Sequence, residues 1–318
     1  VVVTTAYWAD TVTDGAIRML VLFYFFGLGY SPFQVASLFI FYEVFGVITN
    51  LVGGYIAGRL GLKITLFAGL ATQIIALGML GINPAWISVP YVMAAQALSG
   101  IAKDLTKMSS KSAVKLVVPE DTPSALYSLV AILTGSKNAL KGIGFFIGGL
   151  LLPTVGFRTA LLLLAGLVLT TLLLTAFLMR GQLGSPNKKA KFRQMFSKNR
   201  AVNILAAARF FLFGSRDVWF VVGLPVFLYT VLGWDFWQVG SFLAIWVIGY
   251  GIVQAAAPKL VRQRATRQGN PPNGRTATWL AFGLAMFPAG IALALMVGAN
   301  ASIVIIIGLI AFGIISLR

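Results

Sequence analysis

The chain has 318 residues, 58% of them apolar and only 10% charged, with a mean hydropathy of +0.90. A water-soluble domain needs about a quarter of its residues charged to cover its surface, so part of the solvent around this chain is lipid. The net charge of +17 would point to nucleic acid on a soluble surface, but here the basic residues fall in short breaks between apolar stretches, which is the pattern of cytoplasmic membrane loops and argues against a nucleic-acid partner.

A membrane-crossing helix needs about 20 mostly apolar residues. By that rule the sequence predicts ten spans: 4–28, 33–57, 64–82, 87–107, 123–152, 157–179, 201–232, 236–257, 276–297 and 301–317. The breaks between them alternate in charge. Those near Gly29, Asn83 and Gly298 carry none, and those near Gly156 and Gly233 carry only Arg158 and Asp235. The other four are basic: Arg59 with Lys63; Lys107, Lys111 and Lys115; the run 180–200; and the run 258–275. Lys/Arg-rich loops stay in the cytoplasm, which places the N-terminus there and makes the protein a multi-pass protein of the cytoplasmic (inner) membrane.

The run 180–200 is the longest polar stretch and holds Gly181, Gly184, Ser185 and Pro186, so it is the predicted junction between 1–179 and 201–318. Phe192, Met195 and Phe196 share one helical face among its basic residues. A short helix on the membrane surface and a disordered linker both fit that pattern. An internal repeat supports the cut: Gly29-Tyr-Ser-Pro-Phe-Gln34-Val35-Ala-Ser37 matches Gly233-Trp-Asp-Phe-Trp-Gln238-Val239-Gly-Ser241 at an offset of 204 residues. Ser31 and Asp235 are placed to cap a helix, with Gln34 and Gln238 at the third helical position to close a capping box, and Pro32 suits the first position. Both copies open the second span of a half in the same orientation, the arrangement of parallel-repeat transporters. Counted that way, spans 1–6 and 7–10 are present, and helices 11 and 12 of a twelve-helix fold are expected to be missing.

Gly54-Tyr-Ile-Ala-Gly58-Arg59-Leu-Gly61-Leu-Lys63 resembles the major facilitator signature between the second and third spans, with Gly58 standing where that family usually has Asp. The resemblance implies a gating role for Arg59 and Lys63; as plain residues they serve equally as topology signals, with Gly54 and Gly58 as a packing pair. Gly144-Phe-Phe-Ile-Gly148-Gly149 resembles the glycine-rich antiporter signature, with Phe145 where Pro is typical; its bland reading is a close-packing face. Three longer stretches are more specific: QALSGIAKDLTKMSSKSAVKLVVPED from Gln96, LTGSKNALKGIGFF from Leu133 and ARFFLFGSRDVWFVVGLPVFLY from Ala208. Together they resemble the ArsJ-type arsenic-resistance permeases, which are major facilitator proteins. That resemblance implies an all-α fold of two parallel six-helix halves. It further implies export of 1-arseno-3-phosphoglycerate, the unstable ester made when glyceraldehyde-3-phosphate dehydrogenase uses arsenate in place of phosphate, and hence a functional link to that enzyme.

Ionisable residues within apolar spans each cost roughly 2.5–3.5 kcal/mol on insertion scales at the membrane centre, so they line a cavity or pair with one another. They are Asp10, Asp14 and Arg18 in the first span, Glu43 in the second, Lys103 and Asp104 in the fourth, Lys137 and Lys141 in the fifth, and Arg209, Arg216 and Asp217 in the seventh. Asp10, Asp14 and Arg18 share a face at spacing four, as do Lys137 and Lys141. By depth, Arg18, Lys137 and Arg216 fall near the midplane, with Lys141 one turn further out. Arg offers bidentate contacts to phosphate, arsenate or carboxylate, and Lys a point charge. The candidate anion-binding set is therefore Arg18, Lys137, Lys141 and Arg216, followed by Asn138, Arg209 and Lys103, of which Arg209 and Lys103 are close enough to the cytoplasmic ends to snorkel instead. Structural locks are the alternative, with Arg18 on Asp14 and Arg216 on a nearby acid. Asp14, Glu43 and Asp217 are the candidates for proton coupling, and Glu43 leads because no basic residue lies within four positions of it.

The chain has no Cys and no His. That removes thiolate and imidazole metal sites, Cys nucleophiles and Ser-His-Asp triads. With no cofactor motif in view either, the sequence points to a transporter and not an enzyme, and no cofactor is expected. Trivalent arsenic is soft and thiol-seeking, so a chain without Cys fits a pentavalent arsenate ester better. The leading function is proton-linked efflux of an anionic organoarsenical. An organophosphate or organic-anion exchanger of the same fold is the runner-up, and a membrane sensor or scaffold follows.

Overall fold

The computed structural model describes the chain except for residues 1, 83–86, 118–122, 180, 182, 184–198, 202, 205–206, 209–217, 269–273 and 316–318. Every regular element among the described residues is helical: α1 (Val2–Gly27), α2 (Pro32–Leu38), α3 (Ile40–Leu60), α4 (Leu62–Leu80), α5 (Val89–Val117), α6 (Pro123–Val155) and α7 (Phe157–Leu178), then a π-helical turn (Val218–Gly223), α8 (Leu224–Thr230), α9 (Phe236–Gln268), α10 (Gly274–Met296) and α11 (Ala301–Ile315). Five stretches combine the length and apolarity of a membrane crossing: Pro32–Leu60, Leu62–Leu80, Leu129–Val155, Phe157–Leu178 and Phe236–Ala255. Helices α1 and α5, with 26 and 29 residues, are also long enough. Their charges set them apart, and Asp10, Asp14, Arg18 and Asp104 are buried inside the protein. Helix α7 turns the opposite kind of surface outward: Leu173, Leu174 and Phe177 are exposed, as a lipid-facing helix requires.

Both copies of the internal repeat form the predicted cap. The Gln34 N–H donates to Ser31 Oγ (3.3 Å) while Gln34 Oε1 accepts from the Ser31 N–H (2.8 Å). Likewise the Gln238 N–H donates to Asp235 Oδ1 (2.7 Å) and Gln238 Oε1 accepts from the Asp235 N–H (3.0 Å). Gly29 and Gly233, the first residues of the two copies, both adopt positive φ (+91° and +68°), a conformation that glycine enters without a steric penalty.

Several boundaries differ from the sequence prediction. The fourth span does not end at 107, because α5 continues to Val117 and carries Lys107, Lys111 and Lys115 on the helix. The second span is not one helix: α2 and α3 part at Phe39 (φ −93°, ψ −6°). The basic run after residue 257 is not a loop from its start, because α9 continues to Gln268. Lys and Arg are good helix formers, and nothing confines a helix to the hydrocarbon layer. The other basic run, which holds the predicted surface helix at Phe192, Met195 and Phe196, lies outside the described residues.

Helix α6 is the hub of the packing. It lies against α9 along one face and α1 along another. Gly135, Gly142 and Gly149, seven residues apart, meet α9 in antiparallel order at Gly251, Ala244 and Phe236; a Cβ at Gly142 would stand 2.8 Å from the Ala244 carbonyl oxygen. Gly144 and Gly148 meet α1 at Val12 and Ala16 in parallel order. The glycines of Gly144–Gly149 are thus packing residues on two helix contacts, the bland reading of that motif. Near the end of α1 a second contact joins the early and late helices. Phe23 stacks on Phe236 (centroids 4.6 Å apart), Phe236 on Tyr229 (4.9 Å), and Phe26 meets Tyr229 edge-on (5.4 Å).

Candidate functional site

Asp14 and Arg18 of α1, Glu43 of α3, Lys103 of α5 and Lys141 of α6 gather around one aromatic ring. Tyr42 of α3 is fully buried. It sits against α5 at Gly100, where any Cβ would collide with the Tyr42 carbonyl. Its hydroxyl donates to Asp14 Oδ1 of α1. The other oxygen of that carboxylate, Oδ2, lies 3.2 Å from Lys141 Nζ of α6. The Arg18 guanidinium lies over the Tyr42 ring, 4.2 Å from its centroid, and Nη2 reaches Glu43 Oε1 at 2.6 Å. Lys103 Nζ is also over the ring, at 4.0 Å. Next to Lys103 on α5, Asp104 accepts from Lys107 Nζ, about one turn on, at 2.6 Å, with Lys103 Nζ at 3.8 Å. A desolvated charge is tolerated when it is paired and hydrogen-bonded, and this network supplies both.

The pairing differs from the alternative read from spacing on α1 alone. Arg18 pairs with Glu43, not with Asp14 one turn away, and Asp14 pairs with Lys141. Neighbouring helices supply better-placed partners than residues of the same helix. The ground for preferring Glu43 as proton carrier is also corrected. It has no basic neighbour in sequence, but it has Arg18 in space.

Lys137 stands apart from these pairs. It is half-buried on α6, one turn from Lys141, and has no carboxylate within 4.0 Å among the described residues. Its neighbour Asn138 donates through Nδ2 to Gln254 Oε1 of α9, a polar contact between the early and the late helices. Arg209, Arg216 and Asp217 lie outside the described residues. Arg59 is exposed and donates to the Tyr55 hydroxyl (2.9 Å). Lys63 donates to the carbonyls of Met179 (2.8 Å) and Gly181 (3.3 Å), satisfying backbone acceptors at the end of α7. Asp10 is buried with Oδ1 unbonded.

Two contributors escaped the sequence reading, Tyr42 and Gln254. Tyr42 adjoins the one acid of its span, and Gln254 is an amide near the end of a largely apolar stretch. Neither residue is ionised near neutral pH, so neither stands out as a costly exception in an apolar span.

The family model of the Major Facilitator Superfamily matches residues 3–317. The chain belongs to the major facilitator superfamily. Solved structures of similar fold include a POT family transporter in complex with 5-aminolevulinic acid (TM-score 0.69, 14% identity, covering 99% of this chain and 80% of that one). A peptide transporter POT in complex with sulfate (0.67, 14%, 99% and 79%) and a D-xylose-proton symporter (0.63, 16%, 99% and 78%) are also similar. No functionally curated protein matches the sequence. Membership makes this major facilitator protein a multi-pass membrane protein and a secondary transporter, not an enzyme. At these identities the solved structures establish the fold and leave the cargo to the residues of the site.

Proposed function

We propose that this major facilitator protein exports an anionic organoarsenical, 1-arseno-3-phosphoglycerate, from the cytoplasm by proton-linked alternating access, and so confers resistance to arsenate. The observation that carries the anionic cargo is Lys137. Its ammonium lies midway along a membrane helix without an ion-pair partner among the described residues, whereas Arg18, Lys103, Lys107 and Lys141 each have a carboxylate. A surplus cation at that depth costs roughly 2.5–3.5 kcal/mol, and the oxygens of a phosphate or arsenate ester offset it. Lys141 is one turn away on α6 and Asn138 is the next residue, and Arg18, Arg216, Arg209 and Lys103 belong to the same proposed anion path. Asp14, Glu43 and Asp217 are the proposed proton carriers, and Arg59 and Lys63 the proposed cytoplasmic gate. The choice of an organoarsenical rests on the resemblance of three long stretches to ArsJ-type permeases, and the lack of Cys agrees with a pentavalent cargo.

In this reading 1–179 and 201–318 are two parallel halves joined by a cytoplasmic linker, 180–200. The N-terminus is cytoplasmic and the protein sits in the inner membrane. The partner in metabolism is glyceraldehyde-3-phosphate dehydrogenase, which makes the ester. The decisive experiment uses everted vesicles containing the protein, given radiolabelled arsenate with glyceraldehyde-3-phosphate, NAD and the dehydrogenase. Uptake above that of vesicles lacking the protein, dependent on the dehydrogenase, is expected. Equal arsenate uptake without the dehydrogenase, or none with it, overturns the proposal. If dehydrogenase-independent uptake of stable organophosphates is seen instead, the cargo is an ordinary organic anion.

A further inference from the structure

We infer that Tyr42 is the positioning residue that lets the Asp14–Lys141 ion pair open for an anionic substrate; this rests on the anion-export reading above. The two oxygens of Asp14 have separate partners. Lys141 engages Oδ2 at 3.2 Å, and Tyr42 donates to Oδ1. One carboxylate therefore has two independent holders, on α6 and on α3. The Asp14 side chain is 3% exposed. If Lys141 alone held it, release of Lys141 towards a substrate oxyanion would leave a bare buried carboxylate, and that penalty would be charged against substrate binding. The Tyr42 hydroxyl remains on Oδ1 while Lys141 turns away, so part of the penalty disappears.

The same ring serves the second pair. Arg18 leans on its face at 4.2 Å while holding Glu43, and Lys103 lies over it at 4.0 Å. A cation–π contact keeps stabilising a cation whose carboxylate partner is replaced by a substrate oxygen. Tyr42 can do this because it cannot move. It is fully buried, and its backbone is pinned against Gly100 of α5. Three helices thus present exchangeable charges to one fixed side chain, which itself carries no charge and offers the substrate nothing to bind.

The test reads KM separately from Vmax in the vesicle assay, with the ester generated in place by the dehydrogenase. Tyr42→Phe keeps the ring and deletes the hydroxyl. The bond to the carboxylate is present in both states and strengthens when Lys141 leaves, and that gain enters KM, which should rise severalfold, up to about tenfold, with abundance retained. In an Asp14→Asn background the same substitution should add little, because the hydroxyl acts through that carboxylate. An unchanged KM for Tyr42→Phe overturns the inference, even if abundance or Vmax falls, since that is the behaviour of a packing residue. Equal, additive losses with and without Asp14 also overturn it. Lys137→Gln is measured alongside: if it transports as well as the parent, the anion-binding reading itself has failed, whereas loss there with a silent Tyr42→Phe removes only the role of Tyr42.

Discussion

Replacing Lys141 by Gln should destabilise the protein, and replacing its partner as well should restore it. The single change leaves the Asp14 carboxylate, 3% exposed, with the Tyr42 hydroxyl but without its ion-pair partner, while Arg18 and Lys103 stay over the Tyr42 ring. Breaking a buried pair from one side costs about 3–5 kcal/mol, because the remaining charge stays desolvated, while replacing both members by apolar groups of similar volume is often neutral or better. Lys141 is itself 17% exposed and Tyr42 stays in place, so the lower end, about 3 kcal/mol, is expected. Each kcal/mol moves the melting temperature of a chain of a few hundred residues by roughly 2 °C, so Lys141→Gln should melt roughly 6 °C below the parent. Lys141→Met combined with Asp14→Leu should recover most of that while abolishing transport. Melting is followed by intrinsic Trp fluorescence in detergent, since the chain has 7 Trp and no Cys for a thiol dye. A single variant within about 1 °C of the parent, with a double variant no more stable, would refute the view that this pair is a buried, mutually dependent one.

Three further outcomes are expected. Lys137→Gln should cut vesicle uptake at least about tenfold with abundance on an immunoblot unchanged, since no ion pair is broken; a fall in abundance with specific uptake intact would contradict this. Gly142→Leu places a side chain where a Cβ already stands 2.8 Å from the Ala244 carbonyl; it should separate α6 from α9 and abolish transport, and a fully active variant would show that this contact is dispensable. Cells carrying this gene alone should gain no protection against arsenite in a growth assay, because the proposed cargo is a pentavalent ester. Protection would sink the cargo assignment.

Much of the architecture was legible in the sequence because membrane insertion reads hydrophobicity along the chain. Apolar length located five crossings among the described residues, the predicted seventh span, 201–232, lying partly outside them, and chemistry confined to three or four consecutive residues located helix starts: both capping boxes, at Ser31–Gln34 and Asp235–Gln238, are present as spacing predicted. The charges within the spans were legible for the same reason, being costly exceptions in an apolar background. Their partners were not. Spacing on one helix offered Asp14 to Arg18, but tertiary packing gave Arg18 to Glu43 of α3 and Asp14 to Lys141 of α6. That exchange depends on which helices are neighbours and how closely they approach, and the approach is decided by Gly100 against Tyr42 and by Gly144 against Val12. Tyr42 became visible only there, since a neutral ring acquires its role from the charges that three other helices bring to it. Hydrophobicity and capping are properties of a segment, whereas an ion pair between helices is a property of their packing.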